Sequence, residues 1–207
     1  MYFYFDTEFT GLHRGTTPIS IGIVRVKEAD TSQTSAFYAE LTDYDKDQVD
    51  EWIQNNVIKN LLLKNEEPGV KIDKKSDITL FKGTKEELRP VLLKWLEEQY
   101  CTVQMVSDVC HYDFCLFTDI LAKDCISLPE YISPTCHDIN QDIAKFYGIN
   151  EIHAFDMSRE QFEEKLVASK LVKPVATKLL KFDIKNKHNA LYDALVIATI
   201  GSFFLEE

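Results

Sequence analysis

The sequence predicts a three-layer α/β or α+β domain, on three observations. The first forty residues hold three runs rich in aromatic and β-branched side chains. Later segments place apolar residues at helical spacing. After the opening strands the two kinds of segment mix, which is the order expected of helices packed on a sheet. A chain of 207 residues that is 45% hydrophobic and 28% charged can bury a substantial core.

"MYFYF", "PISIGIVRV" and "SAFYAEL" read as strands, and the short links between the first two contain Gly11, Gly15 and Pro18. Three strands in succession suggest an antiparallel meander. Over 46–63 the period changes: Val49, Trp52, Ile53, Val57 and Leu61 recur at helical spacing, which places Trp52 in the core. A polar loop, "KNEEPGVKIDKKSD", follows. In "GTKEELRPVLLKWLEEQY", Thr84 and Glu87 form a capping-box pattern ahead of an apolar stripe of Leu88, Val91, Leu92, Trp95 and Leu96. Pro90 must sit in the first turns of that helix or kink it. "TVQMVSD" reads as a fourth strand. "DFCLFTDILA" and "INQDIAKFYG" read as helices, the second stopped by Gly148. Ser158 with Gln161 marks a further helix start, and a long helix runs from about Ala190. No repeat, low-complexity tract or linker divides the chain, so 1–207 reads as one domain.

The net charge of −11 excludes polyanion binding by bulk attraction and leaves local basic patches or metal ions for that role. Cys101, Cys110, Cys115, Cys125 and Cys136 make an odd set, and a charge at position 6 interrupts any signal-peptide core. They read as buried, reduced thiols in a cytoplasmic protein, because Cys110 and Cys115 lack the spacing and second pair of a zinc site. "ALVIATIGSFFL" is too short to span a membrane and reads as a buried helix.

The acidic residues point to chemistry. Asp6 and Glu8 lie two apart at the end of a strand, so both carboxylates face one side. Like charges that close repel, and a hard divalent cation, Mg²⁺ or Mn²⁺, neutralises them. Alone the pair reads more readily as a solvated turn, and only the acids elsewhere in the chain weaken that reading. Asp108 and Asp113 follow the fourth strand, and His188 and Asp193 open the final helix. Asp193 stands on an otherwise apolar helix, where an unpaired carboxylate costs several kcal/mol. His188, five residues earlier, fits a loop that swings over the site.

This order resembles the DEDDh branch of the ribonuclease H-like 3′–5′ exonucleases. "DTEFTGL" is similar to its first motif and "HNALYDA" to its third, with Asn189 where the Tyr branch has tyrosine. "YFYFDTEF", "ISIGIV", "EWIQNNVIKNLL" and "YDFCLF" further resemble the RNase AS-type exoribonucleases. The likeness implies a ribonuclease H-like three-layer α/β fold, a mixed central sheet with helices on both faces. It also implies two-metal hydrolysis from the 3′ end of single-stranded RNA, releasing nucleoside 5′-monophosphates, with two Mg²⁺ for which Mn²⁺ substitutes. Asp6, Glu8, Asp113 and Asp193 would hold the ions, Asp6 between both, and His188 would accept the proton of the attacking water. The second motif lacks its usual asparagine, so Asp108 competes with Asp113. Asp113 is preferred because it follows an aromatic residue, Tyr112, and starts a helix.

Phe9, Leu12 and Arg14, around the first motif, and Lys185 and Lys187, in a lysine cluster before the third, are candidates to hold substrate. His13, Lys173, Lys178 and Lys181 belong to the same groups. The resemblance implies RNA 3′ ends as partner, adenylate-rich ones among them, no membrane, and a homodimer. Two alternatives stay open: a 3′–5′ DNA exonuclease of the same superfamily, since the catalytic groups do not read the 2′-hydroxyl, and a catalytically silent nucleic-acid-binding module.

Overall fold

Strand β1 (Tyr2–Phe9) lies inside a seven-stranded mixed sheet in the computed structural model, which describes residues 1–26, 34–122, 124–175 and 187–205. Its partners are β2 (Pro18–Val26), β3 (Thr34–Leu41), β4 (Gly69–Asp73), β5 (Ile78–Gly83), β6 (Val103–Ser107) and β7 (Ile132–Asp138), in the order β4-β5-β3-β2-β1-β6-β7. The expected meander is present: β1, β2 and β3 pair antiparallel, with Asp6 opposite Gly22. β6 runs parallel to β1, β7 to β6 and β5 to β3.

The described helices are α1 (Glu51–Asn56), α2 (Lys85–Glu97), α3 (Cys110–Leu121), α4 (Ile139–Tyr147), α5 (Glu151–Phe155), α6 (Arg159–Ala168) and α7 (Ala190–Phe204). The alternation of β1 separates two cores. Phe3 and Phe5 pack with Leu88, Leu92 and Trp95 of α2 and Phe117 of α3 on one face. Tyr4 packs with α4, α6 and α7 on the other. Asp6 and Glu8 share the parity of Tyr4, so they project toward the α7 layer.

Local chemistry sets several boundaries. Thr84 and Glu87 complete the expected capping box, and α2 continues through Pro90 in its second turn. Gly148 closes α4 in the left-handed region at φ 64°, and the Ser158 side chain accepts from Gln161 N–H at the start of α6.

Four expectations are corrected. The helix over 46–63 is broken: 3₁₀ turns at Lys46–Gln48 and Ile58–Asn60 flank the six residues of α1. Asp50 accepts from Ile53 N–H and starts a new helix there, and the apolar spacing alone hides this cap. The loop after residue 63 contains β4, an exposed edge strand hairpinned to β5. β7 and α5 also lack a sequence forecast, β7 because Pro134 and polar residues interrupt its pattern. The cysteines are not all buried: Cys115 is exposed, and Cys101, Cys110 and Cys136 are half-buried free thiols.

One close approach positions the functional end of the sheet. A Cβ on Gly22 would fall 2.3 Å from Ala190 O and 2.5 Å from Leu191 Cα. The bare glycine lets the first turn of α7 descend onto β2 beside Asp6. Further along, Gly201 admits the ring of Tyr4, with 2.0 Å between a built Cβ and Tyr4 Cε1. Gly22→Ala should therefore destabilise by overpacking, by about 1–3 kcal/mol, and lower Tm in thermal denaturation. Gly15→Ala, which meets only His13 Nδ1 at 3.9 Å, should leave Tm unchanged; equal Tm values for the two variants would contradict this packing.

Candidate active site

The ends of β1 and β6, which run parallel, bring their carboxylates to one edge of the sheet. Thr7, on the opposite parity from Asp6 and Glu8, turns toward α3. Its N–H and Oγ1 donate to Asp113 Oδ1 at 3.2 and 2.6 Å. Ser107 Oγ donates to Asp113 Oδ2. Asp113, in the first turn of α3, is thus fixed by three neutral donors from the two strands.

Asp108 sits one step earlier in the chain. Its Oδ2 lies 3.2 Å from Nε of buried Arg159, an ion pair. The rest of that guanidinium donates to Ala154 O at 3.0 Å, Met157 O at 2.8 Å and Asn140 Oδ1. Asp108 therefore has a cationic partner, whereas the donors that hold Asp113 are neutral.

α7 supplies the other half. Asp193, in its first turn, accepts from His188 N–H through Oδ2 at 2.9 Å. His188 adopts a left-handed backbone at φ 62°, just ahead of the Asn189 cap of α7. Trp52 meets that ring edge-on at 4.9 Å between centroids and is 54% exposed. The expectation that Trp52 is core is thus overturned: in the short α1, Ile53 takes the buried position and Trp52 turns to the site.

Two sets of ligand atoms lie within 4.8 Å of one another: Asp6, Asp108 and Asp113 in one, and Glu8, His188 and Asp193 in the other. Among the described residues, Asp6 Oδ2 is buried without a hydrogen-bond partner. An orphaned carboxylate oxygen amid other acids fits an oxygen-seeking divalent cation. Burial, then the charges of Asp113, Glu8 and Asp193, drive the Asp6 pKa well upward. Burial and Asp193 do the same to Glu8. Burial outweighs the donors of Ser107 and Thr7 at Asp113, which is pushed up to about 7. Burial and the Asp108 charge push Asp193 up to about 8. His188 moves the other way: burial and then Lys187 lower its pKa, which favours the neutral ring.

A pocket of about 640 Å³ opens over these groups, rimmed by Phe9, Leu12, Trp52, Phe155 and Lys187. Phe9 stacks on Tyr112 at 5.5 Å and 11°, and Leu12 is 73% exposed. Arg14 and Lys173 are exposed and do not line the pocket. Lys187 forms an ion pair with Glu160 at 3.2 Å across the mouth. Lys178, Lys181 and Lys185 lie outside the described residues. Thr7, Ser107 and Arg159 are absent from the sequence reading. Thr7 was signalled only by its place between two acids, and Arg159 by nothing local.

Comparison with known proteins bears on the family and the fold. The model of the Rv2179c-like family, described as a 3′-5′ exoribonuclease domain, matches residues 1–205. No curated protein matches the chain. Among solved structures, the nuclease domain of 3′hExo, a DEDDh family member bound to rAMP, is similar with a TM-score of 0.58. It is 13% identical, over 97% of this chain and 89% of that one, and so speaks for the ribonuclease H-like α/β fold alone.

The acids carry a pH signature. Their folded pKa values lie above their unfolded ones, so the folded chain holds protons that the unfolded chain has released. The stability they contribute is complete below about pH 4 and is lost as pH rises through the values near 7 and 8 of Asp113 and Asp193. In a chelator, Tm should fall between about pH 5 and pH 8, and millimolar Mg²⁺ or Mn²⁺ should offset much of the fall. A Tm indifferent to both pH and cation over that window would contradict the account.

Proposed function

We propose, since the chain belongs to the Rv2179c-like 3′-5′ exoribonuclease domain family, that the pocket over Asp6 releases nucleoside 5′-monophosphates stepwise from the 3′ end of single-stranded RNA. The reading is carried by one observation: Asp6, with a buried carboxylate oxygen that has no partner, clusters with Asp108 and Asp113, and Glu8, His188 and Asp193 form a second cluster of ligand atoms.

Asp6, Glu8, Asp113 and Asp193 would hold two divalent cations, Mg²⁺ with Mn²⁺ as substitute. When bound, such ions stabilise charge on the phosphoryl oxygens and lower the pKa of the attacking water. Asp113 is favoured over Asp108 because its partners are neutral donors, which leave its charge uncompensated, while Arg159 already offsets Asp108. His188 is the proton acceptor. Its lowered pKa favours the neutral imidazole, and the bond from its N–H to Asp193 fixes the peptide that carries it. Phe9, Leu12 and Trp52 offer apolar faces on which an unstacked 3′ base can rest. Lys187 would leave Glu160 to meet a phosphate, and exposed Arg14, together with Lys185, close to Lys187 in the sequence, are further candidates for that role. Adenylate-rich RNA ends, a cytoplasmic setting and a homodimer complete the proposal. Among the described residues no helix is long and apolar enough to cross a membrane.

The test incubates the protein with Mg²⁺ and 5′-labelled RNA, A-tailed RNA and DNA of matched length. A ladder shortening from the 3′ end of RNA, with DNA slower, is expected; equal digestion of DNA overturns the RNA preference, and an intact label on every strand overturns the activity. His188→Ala should lower kcat roughly 10²- to 10⁴-fold while RNA binding persists. Asp113→Ala should be more damaging than Asp108→Ala, and the reverse order would transfer the ligand role to Asp108.

A further inference from the structure

The loop that presents His188 is held by a polar network that reaches back through the 3₁₀ turn at Ile58–Asn60 to β3. Asn60 spends both hydrogens of its amide on main-chain carbonyls: Asn56 O at 2.6 Å and Lys187 O at 3.0 Å. In return, Asn60 O accepts from Asn189 Nδ2 at 2.9 Å. Asn60 therefore grips the chain on both sides of His188, at the residue before and the residue after it.

Asn189 extends the network. Its Oδ1 caps α7 by accepting from Leu191 and Tyr192 N–H, at 3.2 and 3.3 Å. Its Nδ2 also reaches Tyr38 Oη at 3.4 Å, and Tyr38 donates to Glu40 Oε1 at 2.8 Å. The same Glu40 oxygen accepts Leu63 N–H at 2.7 Å, which anchors the chain just after the 3₁₀ turn. Tyr38, Glu40 and Asn189 are buried, so the far end of the network rests on the sheet.

His188 needs such support. A left-handed, non-glycine backbone is strained and persists only where its surroundings fix it. Asp193 pins the His188 N–H, but nothing on α7 itself holds the preceding carbonyl. Asn60 does so, and through Asn56 it ties that carbonyl to the end of α1, the helix whose Trp52 touches the His188 ring.

We infer that Asn60 is a positioning residue for His188: its side-chain amide holds the peptide that precedes the imidazole and couples it to the Trp52 helix, while its main-chain carbonyl holds the Asn189 side chain that follows. This rests on His188 as the proton acceptor. An aspartate at position 60 would keep the size but present oxygen to two carbonyls, so both Asn60→Ala and Asn60→Asp lose the hold on Asn56 O and Lys187 O and keep only the main-chain contact to Asn189.

The experiment is a double-mutant cycle on the full chain, measuring kcat and KM on a 3′-ended RNA oligonucleotide with Mg²⁺. Asn60→Ala should lower kcat about ten- to a hundredfold, as misplacement of a reacting group does, with KM within about twofold of the parent. In the His188→Ala background the same substitution should change kcat less than about twofold, because the group it positions is gone. Asn60→Asp is read the same way and decides the matter if the alanine variant melts below assay temperature. Parent-like kcat for the Asn60 variants overturns the inference, as does an equal loss in both backgrounds, which would mark damage to the fold at large. Parent-like kcat for His188→Ala itself would instead overturn the assignment of the base, on which the inference depends.

Discussion

Mutual repulsion among carboxylates at the end of β1 is the constraint around which the rest of the molecule is arranged. Asp6, Glu8, Asp108, Asp113 and Asp193 share one edge of the sheet, and burial pushes the pKa of every one upward. One of them, Asp108, has Arg159 as a partner. A cluster that destabilises its own ionised state calls for cationic compensation, and the oxygen donor set suits a hard divalent ion. The apolar body of the protein supplies the energy that tolerates this cluster when no cation is there.

The scaffold holds the acids through separate layers. Residues of one parity on β1 face α7 and those of the other face α3. A single strand thus offers Asp6 and Glu8 to one side and the Thr7 donors for Asp113 to the other. Gly22 lets α7 lie against β2, which brings Asp193 down to Glu8. Buried Arg159 links Asp108 to α4 through Asn140 and to the end of α5 through Ala154. The positions of the acids are therefore set by the sheet and the helix approach, and the exposed loops shape the rim.

Much of this was legible in the residues because it depends on local spacing. The alternation in "DTE" forces two carboxylates to one face, and Asp193 is conspicuous as a lone charge on an apolar helix. Caps and stops at Thr84, Gly148 and Ser158 act within four residues and were readable for the same reason. What was not legible depends on distant partners. β4 is a polar edge strand that exists by pairing with β5, and β7 by pairing with β6. Trp52 has helical spacing with core residues, yet the break at Asn56 leaves α1 too short for periodicity to distinguish its faces. Asn60 is one polar residue among several until the fold sets it against residue 187.

The central claim is that the acids at the end of β1 form a two-cation site organised by Asp6. The most direct measurement is anomalous X-ray diffraction at the manganese edge from crystals grown with Mn²⁺ and AMP. The account predicts two peaks there, one against Asp6 and Asp113 and one against Glu8 and Asp193, with Asp6 in reach of both. No peak at Asp6, or ions bound only elsewhere on the surface, would contradict it.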